Sequence, residues 1–216
     1  MVAQDIYGAM EQWYIENNTT ERYDTNHSEL SLYQRLRATD GRVMHLNRHL
    51  DILRSYAAIL LPKTPMPTVS EIEQMCHRLL SRGSYNSSST HIIELRLWQN
   101  GRVRLSVIET SLYKGFDLRV LRPNAAIIEG CGTTLLYPTS AALECEKLMK
   151  IIARQNGCDV ALAVQNGSVI AIDSTNPIVV HGTNVTIGQS ITSAYTELII
   201  EALKKLPQYN ISLSEI

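Results

Sequence analysis

The sequence predicts an α+β fold, because segments with helical spacing of apolar residues stand apart from runs of short strands joined by tight turns. The chain of 216 residues is 44% hydrophobic, enough to bury a substantial core. Its 20 basic and 21 acidic residues nearly cancel. This balance argues against nucleic acid or an anionic membrane as a partner and favours a small molecule or another protein.

Neither secretion nor membrane insertion is expected. The amino terminus lacks a basic stretch followed by an apolar run, and no window approaches the roughly 20 apolar residues of a membrane span. The four cysteines form no CxxC pair and match no zinc-ligand spacing. We therefore expect a cytoplasmic protein with reduced thiols.

The first half of the chain is predicted to contain both helices and hairpins. Residues Gln4 to Glu16 are compatible with a short helix, and a polar loop follows to Ser28. A strand over 30–37 leads into a tight turn at Asp40-Gly41 and a short second strand. The predicted helices cover Asn47 to Leu61 and a stretch from Thr68 or Ser70 to Gly83.

The central segment contains the clearest hairpin signal, at Asn100-Gly101 between two runs of β-forming residues (91–99 and 102–109). The pattern breaks at 112–115. We accordingly predict an N-terminal helix and loop (1–29), a small α+β subdomain (30–113) and a larger one (114–216).

The larger subdomain is predicted to alternate strands with two helices. Strands are expected over 117–121 and 125–129, followed by a helix from Ser140 to Asn156 that ends at Gly157. A hairpin with its turn at Asn166-Gly167 and a strand over 178–181 come next. The last helix is expected over 190–206, before a proline.

Three other site types receive little support from the sequence: a metal site, a serine hydrolase site and a glycine-rich phosphate-binding turn. His45 and His49 lack further ligands at metal-binding spacing. A serine hydrolase would need a G-x-S-x-G turn, which the sequence lacks. Gly130-Cys131-Gly132 is only faintly similar to a phosphate-binding turn.

Three stretches together resemble the class IV aminotransferase family, which includes the branched-chain aminotransferases and 4-amino-4-deoxychorismate lyases. The first runs from Leu36 through the turn and the helix start His45-Leu46-Asn47-Arg48-His49-Leu50. The second is Leu95-Arg96-Leu97. The third is Gly157-Cys158-Asp159-Val160-Ala161-Leu162, its NG turn, and Asp173-Ser174-Thr175-Asn176.

The resemblance implies two α+β subdomains, shortened here at both ends, that hold pyridoxal 5'-phosphate between them, and it implies a homodimer. It assigns the cofactor phosphate to Arg48, with Ser190, Ile191 and Thr192 as a second phosphate contact. Arg96 would contact the substrate. Ordinary roles as a surface arginine and as helix caps remain open for these residues.

The chain departs from the family at the chemical centre. The family's Schiff-base lysine falls at Pro138, Thr139 or a close neighbour, and the sequence has no lysine between Lys114 and Lys147. The acid that holds the pyridine nitrogen falls near Ala171 or Ile172, so Asp173 could replace it only through a bulge.

Lys147 and Lys150 are weak candidates for the missing amine, since solvated helical lysines are far more common than relocated catalytic ones. Two hypotheses follow. The chain is either a degenerate member that keeps the fold and a phosphate pocket, or an active lyase or aminotransferase with an unidentified lysine.

Overall fold

The computed structural model describes residues 13–16, 19–22, 29–82, 90–111, 123–173 and 175–216. The chain divides into two compact units. One comprises Met1–Leu50 and Ala57–Asp117, and the other comprises Asp51–Tyr56 and Leu118–Ile216. No helix in the described ranges is long and apolar enough to cross a membrane.

The first unit is built on a six-stranded sheet. In chain order its elements are β1 (Trp13–Glu16), β2 (Thr19–Arg22), β3 (Ser31–Thr39), β4 (Arg42–Val43), α1 (Leu46–Leu60), α2 (Val69–Arg82), β5 (Thr90–Trp98) and β6 (Val103–Ser111). The strand order is β2-β1-β6-β5-β3-β4. Every pairing in this sheet is antiparallel.

The N-terminal prediction of a helix and a loop was wrong where the structure can test it. Residues 13–16 form a strand, and residues 19–22 form another within the segment expected to be a loop. The apolar run Trp13-Tyr14-Ile15 is too short for periodicity to distinguish a helix from a strand, and pairing with β6 decides the outcome. Residues 4–12 lie outside the described residues.

Both predicted hairpins of the first unit are confirmed. Asp40 and Gly41 adopt positive φ angles of 52° and 72°, as a tight two-residue turn requires. The longest pairing joins β3 to β5, from Ser31 opposite Trp98 to Thr39 opposite Thr90. One face of β3, β5 and β6 is buried and mostly apolar, with Gln34 as a polar residue among Leu32, Leu36, Ile93, Leu95, Leu97 and Leu105.

The two predicted helices of this unit are also confirmed. The start of α2 is fixed by a capping box, in which the backbone N–H of Thr68 donates to the Glu71 carboxylate at 2.7 Å and Glu71 N–H donates back to Thr68 Oγ1 at 3.3 Å. The buried side of α2 carries Ile72, Met75, Cys76 and Leu79. This helix packs against β6.

The second unit contains two three-stranded sheets. Its elements are β7 (Ala125–Glu129), α3 (Gly132–Leu135), α4 (Ser140–Gln155), β8 (Val160–Gln165), β9 (Ser168–Ile172), β10 (Ile178–His181), β11 (Asn184–Ile187), α5 (Ala194–Leu203) and β12 (Asn210–Leu213). The sheet orders are β7-β8-β9 and β10-β11-β12. Strand β7 runs parallel to β8, and β11 runs parallel to β12.

Several predictions in this unit need correction. The last helix begins at Ala194 rather than Ser190, and Ser193, with an extended backbone, is its N-cap residue. The helix ends at Leu203 rather than at 206. The strands β11 and β12 and the short helix α3 were not predicted. The strand expected over 117–121 lies outside the described residues. The helix α4 and the hairpin at Asn166-Gly167 are confirmed.

Candidate functional site

Arg48 lies in the first turn of α1, where the sequence predicted a phosphate contact. The helix begins after His45, which is in the left-handed conformation (φ 54°) and makes no side-chain capping hydrogen bond. The Arg48 side chain is half-buried, and its Nη1 atom has no solvent exposure. A guanidinium in this position offers a planar set of donors to a phosphate.

His49, the next residue, is a buried neutral imidazole. Its side chain is 2% exposed, and Nδ1 donates to the carbonyl oxygen of the buried Gln34 side chain at 3.0 Å. Burial, followed by the charges of His45 and Arg48, lowers the pKa of His49 to about 4. His49 therefore anchors the start of α1 to β3 without adding a positive charge beside Arg48.

Arg96, the predicted substrate contact, lies on the more polar face of the same sheet. Its Nε donates to the Glu94 carboxylate at 2.6 Å, and both side chains are largely buried. Its cross-strand neighbours are Tyr33 and Arg104. The charge of Arg96 is thus shared with Glu94, and its substrate role stays a prediction.

The predicted second phosphate contact, Ser190 to Thr192, forms the turn that precedes α5. The side-chain amide of Asn176 holds this turn through hydrogen bonds. Its amide nitrogen donates to the carbonyl oxygen of Ile191, and its amide oxygen accepts the N–H of Ile191 at 2.9 Å. The same amide nitrogen donates to Thr196 Oγ1 at 3.0 Å.

Asn176 positions the 190–192 turn. In the sequence it was recognised only as the last residue of the motif Asp173-Ser174-Thr175-Asn176, with no role assigned. It is 8% exposed, and its side-chain amide forms hydrogen bonds with this turn rather than with solvent. Because it occupies the N–H of Ile191, that group does not point to a ligand in this structure. The Thr192 side chain is exposed, and Ser190 is half-buried.

Thr139, one of the positions expected for the Schiff-base lysine together with Pro138 or a close neighbour, is the N-cap of α4. Its backbone is extended, and its hydroxyl accepts the N–H of Ala142 at 3.3 Å. The side chain is 7% exposed. The residue therefore satisfies one of the helix's own unpaired donors, a structural role that a lysine could not fill.

The resemblance places the acid beside the pyridine nitrogen near Ala171 or Ile172, and neither of these side chains is acidic. Ala171 is completely buried in β9. Asp173 follows the strand in the left-handed conformation (φ 45°), and its carboxylate accepts the N–H of Ala161 at 3.0 Å. The bulge in the β8–β9 pairing lies earlier, between Ala163 and Val164. Asp173 is consequently engaged with the neighbouring strand.

The two candidate lysines are held in ion pairs on α4. Lys147 Nζ lies 2.7 Å from Glu144, with both side chains mostly exposed. Lys150 Nζ lies 2.7 Å from the buried carboxylate of Glu146. The Lys147–Glu144 pair is typical of a solvated helix face, whereas the Lys150–Glu146 pair joins a partly exposed lysine to a buried carboxylate. Whether either lysine has a catalytic role stays a prediction.

These residues fit a phosphate group better than they fit the whole of pyridoxal 5'-phosphate. Arg48 supplies a fixed cation. At the positions to which the resemblance assigns the lysine and the acid, Pro138 or Thr139 and Ala171 or Ile172, the side chains contain neither an amine nor a carboxylate. Over the residues that the structure describes, no group of three or more histidine, cysteine or acidic side chains could hold a metal ion.

Comparison with known proteins identifies the fold. No protein-family model and no curated protein sequence matches the chain. The branched-chain amino acid aminotransferase of Escherichia coli matches its structure with a TM-score of 0.73 at 14% identity, covering 94% of this chain and 77% of that one. A fold IV transaminase from Curtobacterium pusillum matches with a TM-score of 0.68 at 13% identity, covering 95% and 83%.

A third solved structure represents the lyase branch. A protein assigned as a 4-amino-4-deoxychorismate lyase matches with a TM-score of 0.66 at 20% identity, covering 88% of this chain and 76% of that one. The order of elements and the α+β class agree with the resemblance found in the sequence. The chain has the α+β fold of the class IV aminotransferases and aminodeoxychorismate lyases, as a divergent example at low identity.

Proposed function

We propose that this chain is a class IV aminotransferase or aminodeoxychorismate lyase-like protein that has lost the Schiff-base lysine and retains a pocket for a phosphate-bearing small molecule. The observation that supports the proposal is at Thr139, one of the positions to which the resemblance assigns the lysine: this residue is a threonine that serves as the N-cap of α4. A threonine hydroxyl cannot form an imine with an aldehyde. Such a protein would act as a binding or interaction protein.

The proposed phosphate binding depends first on Arg48. Its guanidinium stands in the first turn of a helix that lacks a side-chain cap, and the neighbouring His49 is neutral. Both features favour an anion at this helix start, because backbone N–H groups and a cation act on it together. In the other unit, the turn at 190–192 stays a prediction as a second phosphate contact, through the hydroxyl groups of Ser190 and Thr192, because Asn176 accepts the N–H of Ile191.

Pyridoxal 5'-phosphate is the cofactor that the fold suggests, and bound in the family's manner it supplies an electron sink. In this chain we expect it to bind without a covalent link. Arg48 would hold the phosphate and Arg96 would face an anionic group of the ligand. The protein would be a cytoplasmic homodimer, which light scattering and localisation of the tagged full chain can check.

A borohydride experiment separates this proposal from the hypothesis of an active enzyme. The purified full chain is mixed with excess pyridoxal 5'-phosphate, reduced, and mapped by mass spectrometry. We expect no stoichiometric phosphopyridoxyl group on any lysine. A full equivalent on Lys147 or Lys150, lost in the matching lysine-to-alanine variant, would establish a relocated amine and refute the proposal.

A restored lysine tests the position of Thr139 directly. We expect Thr139→Lys to acquire a borohydride-fixed adduct on the new lysine. Thr134→Lys is the matched control, since Thr134 is an exposed threonine on the nearby α3 and should acquire none. If Thr139→Lys folds, as judged by circular dichroism, and binds pyridoxal 5'-phosphate but is not labelled, Thr139 does not occupy the lysine position.

A further inference from the structure

Two asparagine-glycine pairs lie at the tips of hairpins. Asn100-Gly101 joins β5 to β6 in the first unit, and Asn166-Gly167 joins β8 to β9 in the second. Both asparagine side chains are exposed. An asparagine that precedes glycine loses its amide more readily than other asparagines, because glycine has no side chain to hinder attack by its backbone nitrogen. The two turns differ in how they hold the reacting groups.

The turn at Asn100-Gly101 holds both reacting groups. The side-chain oxygen of Asn100 accepts the N–H of Arg102 at 2.9 Å, and the N–H of Gly101 donates to the carbonyl oxygen of Trp98 at 2.9 Å. A Cβ atom at Gly101 would lie 3.0 Å from Pro65 Cγ, so this turn has little space to rearrange. Attack of the Gly101 nitrogen on the Asn100 amide would first break both hydrogen bonds.

The turn at Asn166-Gly167 holds neither group. Asn166 and Gly167 have positive φ angles of 53° and 82°, which are typical of a two-residue type I′ turn. Within the part of the chain that the structure describes, no group accepts the Gly167 N–H or bonds to the Asn166 side chain. In the same part of the chain, a Cβ atom added at Gly167 would meet no atom within 4 Å.

We propose that Asn166 is a site of spontaneous deamidation in the folded chain and that its turn distinguishes it from Asn100. The backbone nitrogen of Gly167 attacks Cγ of Asn166, a C–N bond forms, and the side-chain amide leaves as ammonia with the proton of the Gly167 N–H. The product is a cyclic succinimide. Water then opens one of the two C–N bonds of the ring, which gives aspartate or isoaspartate.

The reaction needs only water and no oxidant or reductant. Its slow step requires a Gly nitrogen that can lose its proton and a side-chain amide that can rotate towards it. Each net hydrogen bond that must break first costs the reaction a factor of a few. We therefore expect the two hydrogen bonds at Asn100 to slow its deamidation by roughly 10- to 100-fold relative to Asn166. The proposal does not depend on whether the chain binds a cofactor.

The isoaspartate product would loosen the β8–β9 hairpin. Isoaspartate continues the backbone through its side chain, so it inserts one extra carbon into a turn whose fit to the strand twist depends on two residues of positive φ. The preceding residue, Gln165, connects this hairpin to α3, because its side-chain amide donates to Thr133 Oγ1 at 3.2 Å. We expect the isoaspartate form to melt roughly 2–4 °C below the unmodified chain.

Peptide mapping of the aged full chain tests the site. The chain is incubated in mildly alkaline buffer with and without urea, and mass spectrometry follows the conversion of each amide to a carboxylate. In the folded chain we expect Asn166 to convert roughly 10- to 100-fold faster than Asn100. In urea both turns are open, so the two rates should be similar. An isoaspartate-specific carboxyl methyltransferase should label the Asn166 peptide of the folded sample.

Two variants separate the chemistry from its structural effect. Asn166→Gln should remove the methyl label from this turn, because a glutamine would have to form a larger and slower ring. Asn166→Asp carries the new charge on an ordinary backbone and should melt with the parent chain, whereas the isoaspartate form melts lower.

The rates in the parent chain decide the proposal, and they do not depend on how a variant folds. Conversion at Asn100 that equals or exceeds conversion at Asn166 in the folded chain would overturn it. A folded chain in which neither asparagine converts, although both convert in urea, would overturn it as well, because the 166–167 turn would then protect its amide.

Discussion

The helices α1 and α4 both begin at positions where the family resemblance places a cofactor contact, yet they begin in different ways. His45 starts α1 in the left-handed conformation without a side-chain cap, whereas the hydroxyl of Thr139 caps α4. The first N–H groups of a helix need partners from outside the helix. The start of α1 therefore lacks a side-chain cap, which fits the anion site that we propose there, whereas the hydroxyl of Thr139 occupies a backbone donor at the start of α4.

The largest expected effect is a pH dependence of the unfolding free energy, caused by His49 at the start of α1. His49 is neutral in the fold with a pKa of about 4, but an unfolded histidine titrates near 6.5. Between these values the unfolded chain binds more protons than the folded one, so stability is complete above pH 6.5 and falls as the pH drops towards 4. The expected loss is about 3 kcal/mol of unfolding free energy.

Urea unfolding at a series of pH values measures this loss. His49→Gln should abolish the dependence between pH 6.5 and 4. His77→Gln, which changes an exposed histidine of α2, should leave the dependence intact. An unchanged slope in the His49 variant would mean that α1 is not anchored through a buried neutral imidazole.

The next effect concerns ligand binding at the start of α1. Arg48→Gln removes the guanidinium and should weaken non-covalent binding of pyridoxal 5'-phosphate roughly 10- to 100-fold, the range for losing charge-assisted hydrogen bonds. Binding of pyridoxal, which lacks the phosphate, should not change. Calorimetry with both ligands measures the difference.

Arg54→Gln is the control for this variant. Arg54 lies on the same helix but is exposed and pairs with Asp51 at 2.6 Å. Its replacement should leave both affinities unaltered. Equal losses in the two variants would assign the effect to general charge and remove Arg48 from the proposed site.

The smallest effect concerns the start of α4. Thr139→Ala removes the cap and should lower stability by about 1 kcal/mol, or roughly 2–4 °C in melting temperature. Thr139→Ser keeps the hydroxyl and should retain most of the stability. Thermal melting of both variants, with exposed Thr134→Ala as the reference, checks this. A Thr139→Ala variant that melts with the parent chain would show that the residue has no structural role.

Long, strongly patterned segments could be predicted from the sequence because local chemistry determines them. The turn at Asp40-Gly41 appears as expected, and of the two predicted caps of α2, Thr68 and Ser70, the structure has Thr68, which forms a capping box with Glu71. The strands β11 and β12 were missed because each has only four residues and their pairing joins parts of the chain separated by α5. Periodicity carries no information about such a pairing.

Part of the candidate site could be predicted from the family resemblance. The resemblance assigns Arg48 to a phosphate, and the structure places it in the first turn of α1, while its role stays a prediction. The role of Asn176 could not be predicted, because its partners Ile191 and Thr196 are brought to it only by the fold of the second unit. Three hydroxyl residues precede α5, and the helix begins after Ser193, whose side chain makes no capping hydrogen bond.

The parallel pairing of β11 with β12 has a consequence for biosynthesis. Strand β11 lies between β10 and β12, and β12 (Asn210–Leu213) supplies its second neighbour in the sheet. In addition, the carbonyl of Ile216 accepts the N–H of Val169. During synthesis on the ribosome, this small sheet therefore stays incomplete until residues 210–213 have left the exit tunnel. A deletion of residues 210–216 would remove paired backbone rather than an unattached segment.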